Sequence, residues 1–148
     1  MNRNALKKAL YVALETGGCV KFDLKFYSDS LNRALCGASN SQTLANFKFA
    51  VEFARRSGRS RPPLVVASTL LVPGYTDKEE LEALASFIAE CDAQTPWALL
   101  AFHPDFVMRD LPTTSQNHAE TAIQIAQRFG INRVRVGNVH LLDDTYRL

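Results

Sequence analysis

Apolar positions in this chain change period several times, and the changes divide it into helices and strands. Residues 5–15 place Leu6, Ala9, Leu10, Ala13 and Leu14 at three- and four-residue spacing, which predicts an amphipathic helix stopped by Gly17-Gly18. Over 20–25 the apolar Val20, Phe22 and Leu24 alternate strictly with Lys21, Asp23 and Lys25, the pattern of a strand with one apolar and one ionic face. A loop containing Gly37, Ser39 and Asn40 leads to a helix starting near Ser41, with Leu44, Phe47, Val51 and Ala54 at helical spacing and Gly58 at its end. Segment 64–72, LVVASTLLV, is a nearly unbroken apolar run of strand length, expected where both faces of a parallel strand are covered. Thr76 or Asp77 caps the next helix, with Glu79 or Glu80 as capping-box partner and Leu81, Leu84, Ala85 and Ile88 as its buried stripe. Segment 97–102 reads as another strand, and a loop through Arg109, Asp110 and Pro112 follows. Ala119, Ala122, Ile123, Ala126 and Phe129 then share one face of a helix ending at Gly130, and 133–139 is a last strand.

Helix first, then strand and helix three times, then a strand: this alternation predicts a parallel sheet with right-handed crossovers. No linker or low-complexity segment interrupts it, so residues 1–148 read as one α/β unit. With 148 residues, 47% apolar and 22% charged, the composition suits one sizeable soluble core. No apolar run approaches the roughly 18 residues of a membrane span, and the start MNRNALKKAL lacks a signal-peptide core. A cytoplasmic protein is expected. A net charge of +2 is too weak a bias to imply nucleic acid or a membrane surface as partner. Cys19, Cys36 and Cys91 are too far apart for a zinc or iron-sulfur motif or a secreted disulfide framework, so no metal site is predicted.

In parallel α/β folds the functional loops lie beyond the C-terminal ends of the strands. That rule selects Asp23 and Lys25 at the first exit, Thr69 with Pro73-Gly74 at the second, His103 and Asp105 at the third, and Gly137, Asn138 and His140 at the fourth. Asp23 and Lys25 project to the same side as Lys21. If that side is a ligand crevice, the pair can hold a zwitterion such as an amino-acid moiety; the alternative is a solvated edge strand with an ionic outer face. His103, braced by Pro104, stands at the sheet rim as a ligand contact or a structural, hydrogen-bonded histidine. His118 reads as a surface or capping residue in a first helical turn, and His140 as either. Arg55, Arg56, Arg59 and Arg61 form the one basic concentration. They fall on the N-terminal rim, where they complement a helix C-terminus. Gly17-Gly18 precedes a strand and so is no phosphate loop, and no GxGxxG, GxxxxGKS, GxSxG or HExxH occurs.

The strand exits carry FDLKFYSDSLNRALCG over 22–37, TLLVPGYTDKEEL over 69–81, AFHPDF over 101–106 and VRVGNVH over 134–140. In order and spacing these resemble the C-terminal half of radical SAM activating enzymes, the pyruvate formate-lyase activating type and its relatives in the AmmeMemoRadiSam group. The resemblance implies a partial parallel (β/α) barrel of about four strands, equivalent to the later half of a radical SAM core. It implies S-adenosyl-L-methionine (SAM) across the strand ends, contacted by Asp23, Leu24, Lys25 and His103. Thr69 and Asn138 would line the same cavity, and Asp105 a loop near the substrate. The reaction implied is SAM cleavage followed by hydrogen abstraction, for example from a protein glycine.

The family's CxxxCxxC loop, which holds a [4Fe-4S] cluster, has no counterpart among these residues, and the tail ends at Asp144–Leu148 without the family's cysteines. The chain is therefore expected to be inactive alone, as a fragment, a truncated product or a half-barrel working with another chain. Four parallel strands leave two edges and an apolar inner surface to cover, which predicts a homo-oligomer or pairing with a missing N-terminal half. A non-catalytic half-barrel that binds a small molecule or a partner is the alternative. A doubly wound enzyme unrelated to SAM would instead carry helices on both sheet faces.

Overall fold

A computed structural model describes residues 2–148. The elements in chain order are α1 (Arg3–Thr16), β1 (Val20–Asp23), α2 (Asp29–Cys36), α3 (Ser41–Ser57), β2 (Val65–Leu71), α4 (Lys78–Asp92), β3 (Trp97–Ala101), α5 (Gln116–Arg128) and β4 (Val134–Gly137). Short 3-10 turns at Phe106–Met108 and Val139–Leu141 follow the last two strands. All strands pair in parallel in the order β1-β2-β3-β4.

That order never reverses. Parallel crossovers are right-handed, so successive crossovers in one direction deliver every helix to the same face of the sheet. One hydrophobic core accordingly joins Leu6 and Leu10 of α1, Phe47 of α3, Leu84 and Ile88 of α4 and Ala122 of α5 to Val65, Ala67, Trp97 and Leu99 of the strands. The opposite face carries no helix. Register places Asp23 beside Ser68, Ser68 beside Ala98 and Ala98 beside Arg135 on that face, with Leu70, Leu100 and Gly137 aligned two residues further on. The architecture is a partial parallel (β/α) barrel of four strands; the doubly wound alternative, with helices on both faces, does not occur.

Caps explain the helix starts. Asn2, Ser28, Asp77 and Ser115 each accept a hydrogen bond from a backbone N–H three residues on. Glu80 departs from the expected capping box. Its carboxylate is buried and accepts from the backbone N–H groups of Tyr27 and Ser28, so it secures the start of α2 from across the rim. α2 itself lies where a loop is predicted: it spans only 8 residues, and its apolar pair, the half-buried Leu31 and Leu35, is too short a pattern to stand out. β1 ends at Asp23, with Lys25 just beyond it, and β4 stops at Gly137 because Asn138 adopts a left-handed conformation (φ 55°).

Thr69 alternates with Ser68 onto the helix side of β2 and is 1% exposed. Its hydroxyl donates to the Leu24 carbonyl (2.8 Å) and accepts from the Trp97 indole N–H (3.0 Å), tying β1, β2 and β3 together inside the core. Replacing Thr69 by Val keeps the shape but strands both partners. At about 1–3 kcal/mol for each buried group left unpaired, Thr69→Val should destabilise the fold by roughly 2–4 kcal/mol in urea denaturation.

Candidate functional site

Asp23 and Lys25 meet at the C-terminal end of β1, on the helix-free side. Lys25 Nζ lies 3.3 Å from Asp23 Oδ2, with the side chains 43% and 52% exposed. An exposed pair of this kind contributes about 0–1 kcal/mol, so either member exchanges its partner for a ligand group at little cost. Leu24 between them is buried in the core; its N–H donates to Ser68 O and its carbonyl accepts from Thr69. Polar atoms at this exit therefore come from Asp23 and Lys25, while Leu24 fixes the backbone that carries them.

His103 follows β3 and is exposed, with Nδ1 3.4 Å from Asp105 Oδ2. β2 lies between β1 and β3, which separates the Asp23–Lys25 and His103–Asp105 pairs by roughly 10 Å at normal strand spacing. Two polar pairs thus stand on one rim. Asn138 is exposed beyond β4 and its amide Nδ2 donates to Ala101 O at 3.4 Å. Tyr27, Phe106, Val107 and Val139, all exposed, stand on the loops around this rim.

A cleft of about 230 Å³ adjoins the β1 exit. Asp23 and Lys25 form one wall, and Asn32, Cys36, Ser39 and Thr43 from α2, its following loop and α3 form the other. Sequence reasoning missed this wall because it missed α2. The signal was nonetheless present in Ser28-Asp29-Ser30, a helix-start pattern, and in Gly37, which ends the helix in a left-handed conformation.

The loop 37–40 is held by a polar network. Asp29 accepts from the Ser39 hydroxyl (2.6 Å), the Asn40 N–H (3.1 Å) and Arg33 Nε (2.6 Å). Asn40, buried, donates its amide to the carbonyls of Phe26 and Tyr27. The Ser39 hydroxyl and then Arg33 hold the Asp29 carboxyl down to about 2, from an ordinary value of 3.8. A depressed carboxyl stabilises its surroundings above the unfolded value and loses that contribution as pH falls through the folded one.

His118 is fully buried rather than a surface or capping group. Its ring sits 2.7 Å from Thr76 O through Nε2 and 2.6 Å from the Tyr146 hydroxyl through Nδ1. The carbonyl can only accept, so Nε2 carries the proton and Tyr146 donates to Nδ1. Burial pushes the His118 pKa down, which keeps the ring neutral in this role. The C-terminal tail, which covers this helix start, is what spacing within α5 could not reveal. On the N-terminal rim, Arg55 and Arg56 pair with Glu52, and Arg59 donates to the carbonyls of Ala13, Leu14, Gly18 and Pro62. Arg59 so caps the end of α1, a structural task away from the site.

The cysteines occupy three separate places: Cys19 before β1, Cys36 at the end of α2 and Cys91 in α4. No group of three His, Cys, Asp or Glu side chains placed to hold a metal ion occurs among the described residues. No helix among them is long and apolar enough to cross a membrane.

No protein-family model matches the chain. An uncharacterized protein from Methanocaldococcus jannaschii is 34% identical over 86 residues, covering 55% of this chain and 26% of that protein. The chain thus spans about a quarter of the length of this curated relative. Among solved structures, the crystal structure of a domain of pyruvate-formate lyase-activating enzyme from Bacteroides vulgatus is similar with a TM-score of 0.73. The match covers 93% of this chain and 75% of that one at 18% identity, a likeness of fold.

Lowering the pH from 4 toward 2 should release the 37–40 loop first. The Asn40 amide signal in NMR is expected to move with a midpoint near the Asp29 value of about 2 and to lose that transition in Asp29→Asn.

Proposed function

We propose that this chain is the SAM-binding part of a radical SAM activating-enzyme-like barrel, related in kind to the pyruvate formate-lyase activating type. The observation that carries the reading is the Asp23–Lys25 pair on the helix-free face of a half-barrel, at the strand ends where ligands bind in parallel α/β folds. The fold likeness to the Bacteroides vulgatus domain supports it. So do the four strand-exit motifs and their spacing.

In this reading Asp23 accepts from the ammonium of the methionyl end and Lys25 meets its carboxylate, exchanging a weak mutual pair for two charge-assisted bonds. His103 contributes at the other end of the ligand. Asp105 and Asn138 border the substrate side. The reaction of the complete barrel is SAM cleavage with hydrogen abstraction, for example from a protein glycine. The residues of this chain bind and orient; reductive chemistry is not assigned to them, and the chain alone is inactive.

SAM titrated into the chain in a calorimeter should bind at one site. Removing one charge-assisted contact costs about 1.5 kcal/mol or more, so Asp23→Ala and His103→Ala should each weaken binding roughly tenfold. Undiminished affinity in both variants, or no binding by the parent chain, would refute the reading.

The helix-free face, with half-buried Val66, Leu70, Ala98 and Leu100, and the unpaired outer edges of β1 and β4 support an assembly in which another chain or a second copy covers them. Light scattering at increasing concentration should show a species heavier than the 16.5 kDa monomer. A monomer at every concentration that also fails to bind an apolar dye would contradict this.

A further inference from the structure

The loop between β3 and α5 is tied at its neck and free at its tip. At the neck the Phe102 N–H donates to Thr114 Oγ1 (2.7 Å), the Thr114 N–H donates to the Phe102 carbonyl (3.4 Å), and the Thr114 hydroxyl donates to Leu71 O (2.7 Å). Beyond that closure, residues 103–112 make polar contacts only with one another among the described residues. The Met108 N–H donates to Asp105 O, the Leu111 N–H to Met108 O, and His103 pairs with Asp105. A loop whose ends are closed and whose body is untied can move as a unit about its neck.

The tip holds apolar side chains in water. Phe106 is 85% and Val107 94% exposed, and of the loop's other apolar residues Pro104, Met108 and Leu111 are only half-buried. Phe106 also has φ 51°, a left-handed conformation that a bulky side chain adopts only under strain. Strain of this kind persists where packing enforces it. At its exposure no packing enforces it on Phe106, so a new contact is free to release it.

A landing place adjoins the loop. On the helix-free face Leu70 and Leu100 stand side by side near the ends of β2 and β3, both half-buried. Phe106 follows Ala101, the last residue of β3, by a stretch of chain that spans up to about 17 Å, enough to fold back over that row.

We propose that loop 103–113 is a lid that closes over the strand ends when a ligand is bound. Phe106 and Val107 form its inner surface, buried on closure against the ligand and the Leu70–Leu100 row. What the lid closes on rests on the SAM reading above. His103 and Asp105 sit at the base of the loop, so a ligand that engages His103 draws the loop inward.

Hydrogen exchange read by mass spectrometry reports closure. Saturating SAM should slow exchange of the amides in 104–112 about tenfold or more and leave 57–61, on the N-terminal rim, unchanged. The double variant Phe106→Ser, Val107→Ser alters only exposed side chains and should keep the parent's urea midpoint. It should still bind SAM, about 3- to 10-fold more weakly, with protection of 104–112 reduced to about twofold or less. SAM bound by the parent without protection of 104–112, or full protection retained in the double variant, overturns the lid and leaves SAM binding at Asp23 standing. If the parent chain does not bind SAM, the functional reading falls, and the lid with it.

Discussion

A strand order that runs β1-β2-β3-β4 without reversal is the constraint on which the rest of the molecule depends. Right-handed crossovers taken in one direction leave no way to place a helix on the second face of the sheet. The strands therefore divide their side chains sharply. Phe22, Ala67, Trp97 and Val134 align in register toward the helices, while Asp23, Ser68, Ala98 and Arg135 align toward the bare side. The same winding puts every strand exit on one rim, so Asp23, Lys25, His103, Asp105 and Asn138 stand along that rim although they span most of the chain.

Rigidity at this rim comes from polar groups used as fasteners. Glu80 reaches from α4 to the start of α2, Asp29 gathers the loop after α2, and Asn40 ties that loop to the segment following β1. On the far side, Thr114 joins Leu71 to Phe102, and His118 clamps the β2–α4 loop to the tail through Tyr146. Beneath the rim, Thr69 and Trp97 bind three strands through side chains. Against that background the exposed, weakly paired Asp23–Lys25 is free to exchange partners.

How much of this could be read from the residues depended on the range of the interaction that decides each feature. The four strands, the long helices and the ionic face of β1 follow from periodicity in Val20–Asp23, Leu81 to Ile88 and their counterparts, because local spacing alone determines which face is buried. The partners of the Thr69 hydroxyl, the Trp97 indole and the Leu24 carbonyl, lie 28 and 45 positions away and were not legible in local spacing. His118 was misread for the same reason, since Thr76 and Tyr146 meet it only in the folded chain. α2 offers only Leu31 and Leu35 at helical spacing and is held largely by hydrogen bonds, which leave little trace in the sequence; with it went one wall of the cleft.

The central claim is that the bare face at the strand exits binds SAM. Backbone amide chemical shifts of the isotope-labelled chain, followed by NMR as SAM is added, test it most directly. Saturable shifts concentrated on 23–25, 32–40 and 103–105, with the N-terminal rim around Arg55 and Arg59 unmoved, are the predicted result. Shifts confined to that rim, or none at millimolar SAM, would contradict it.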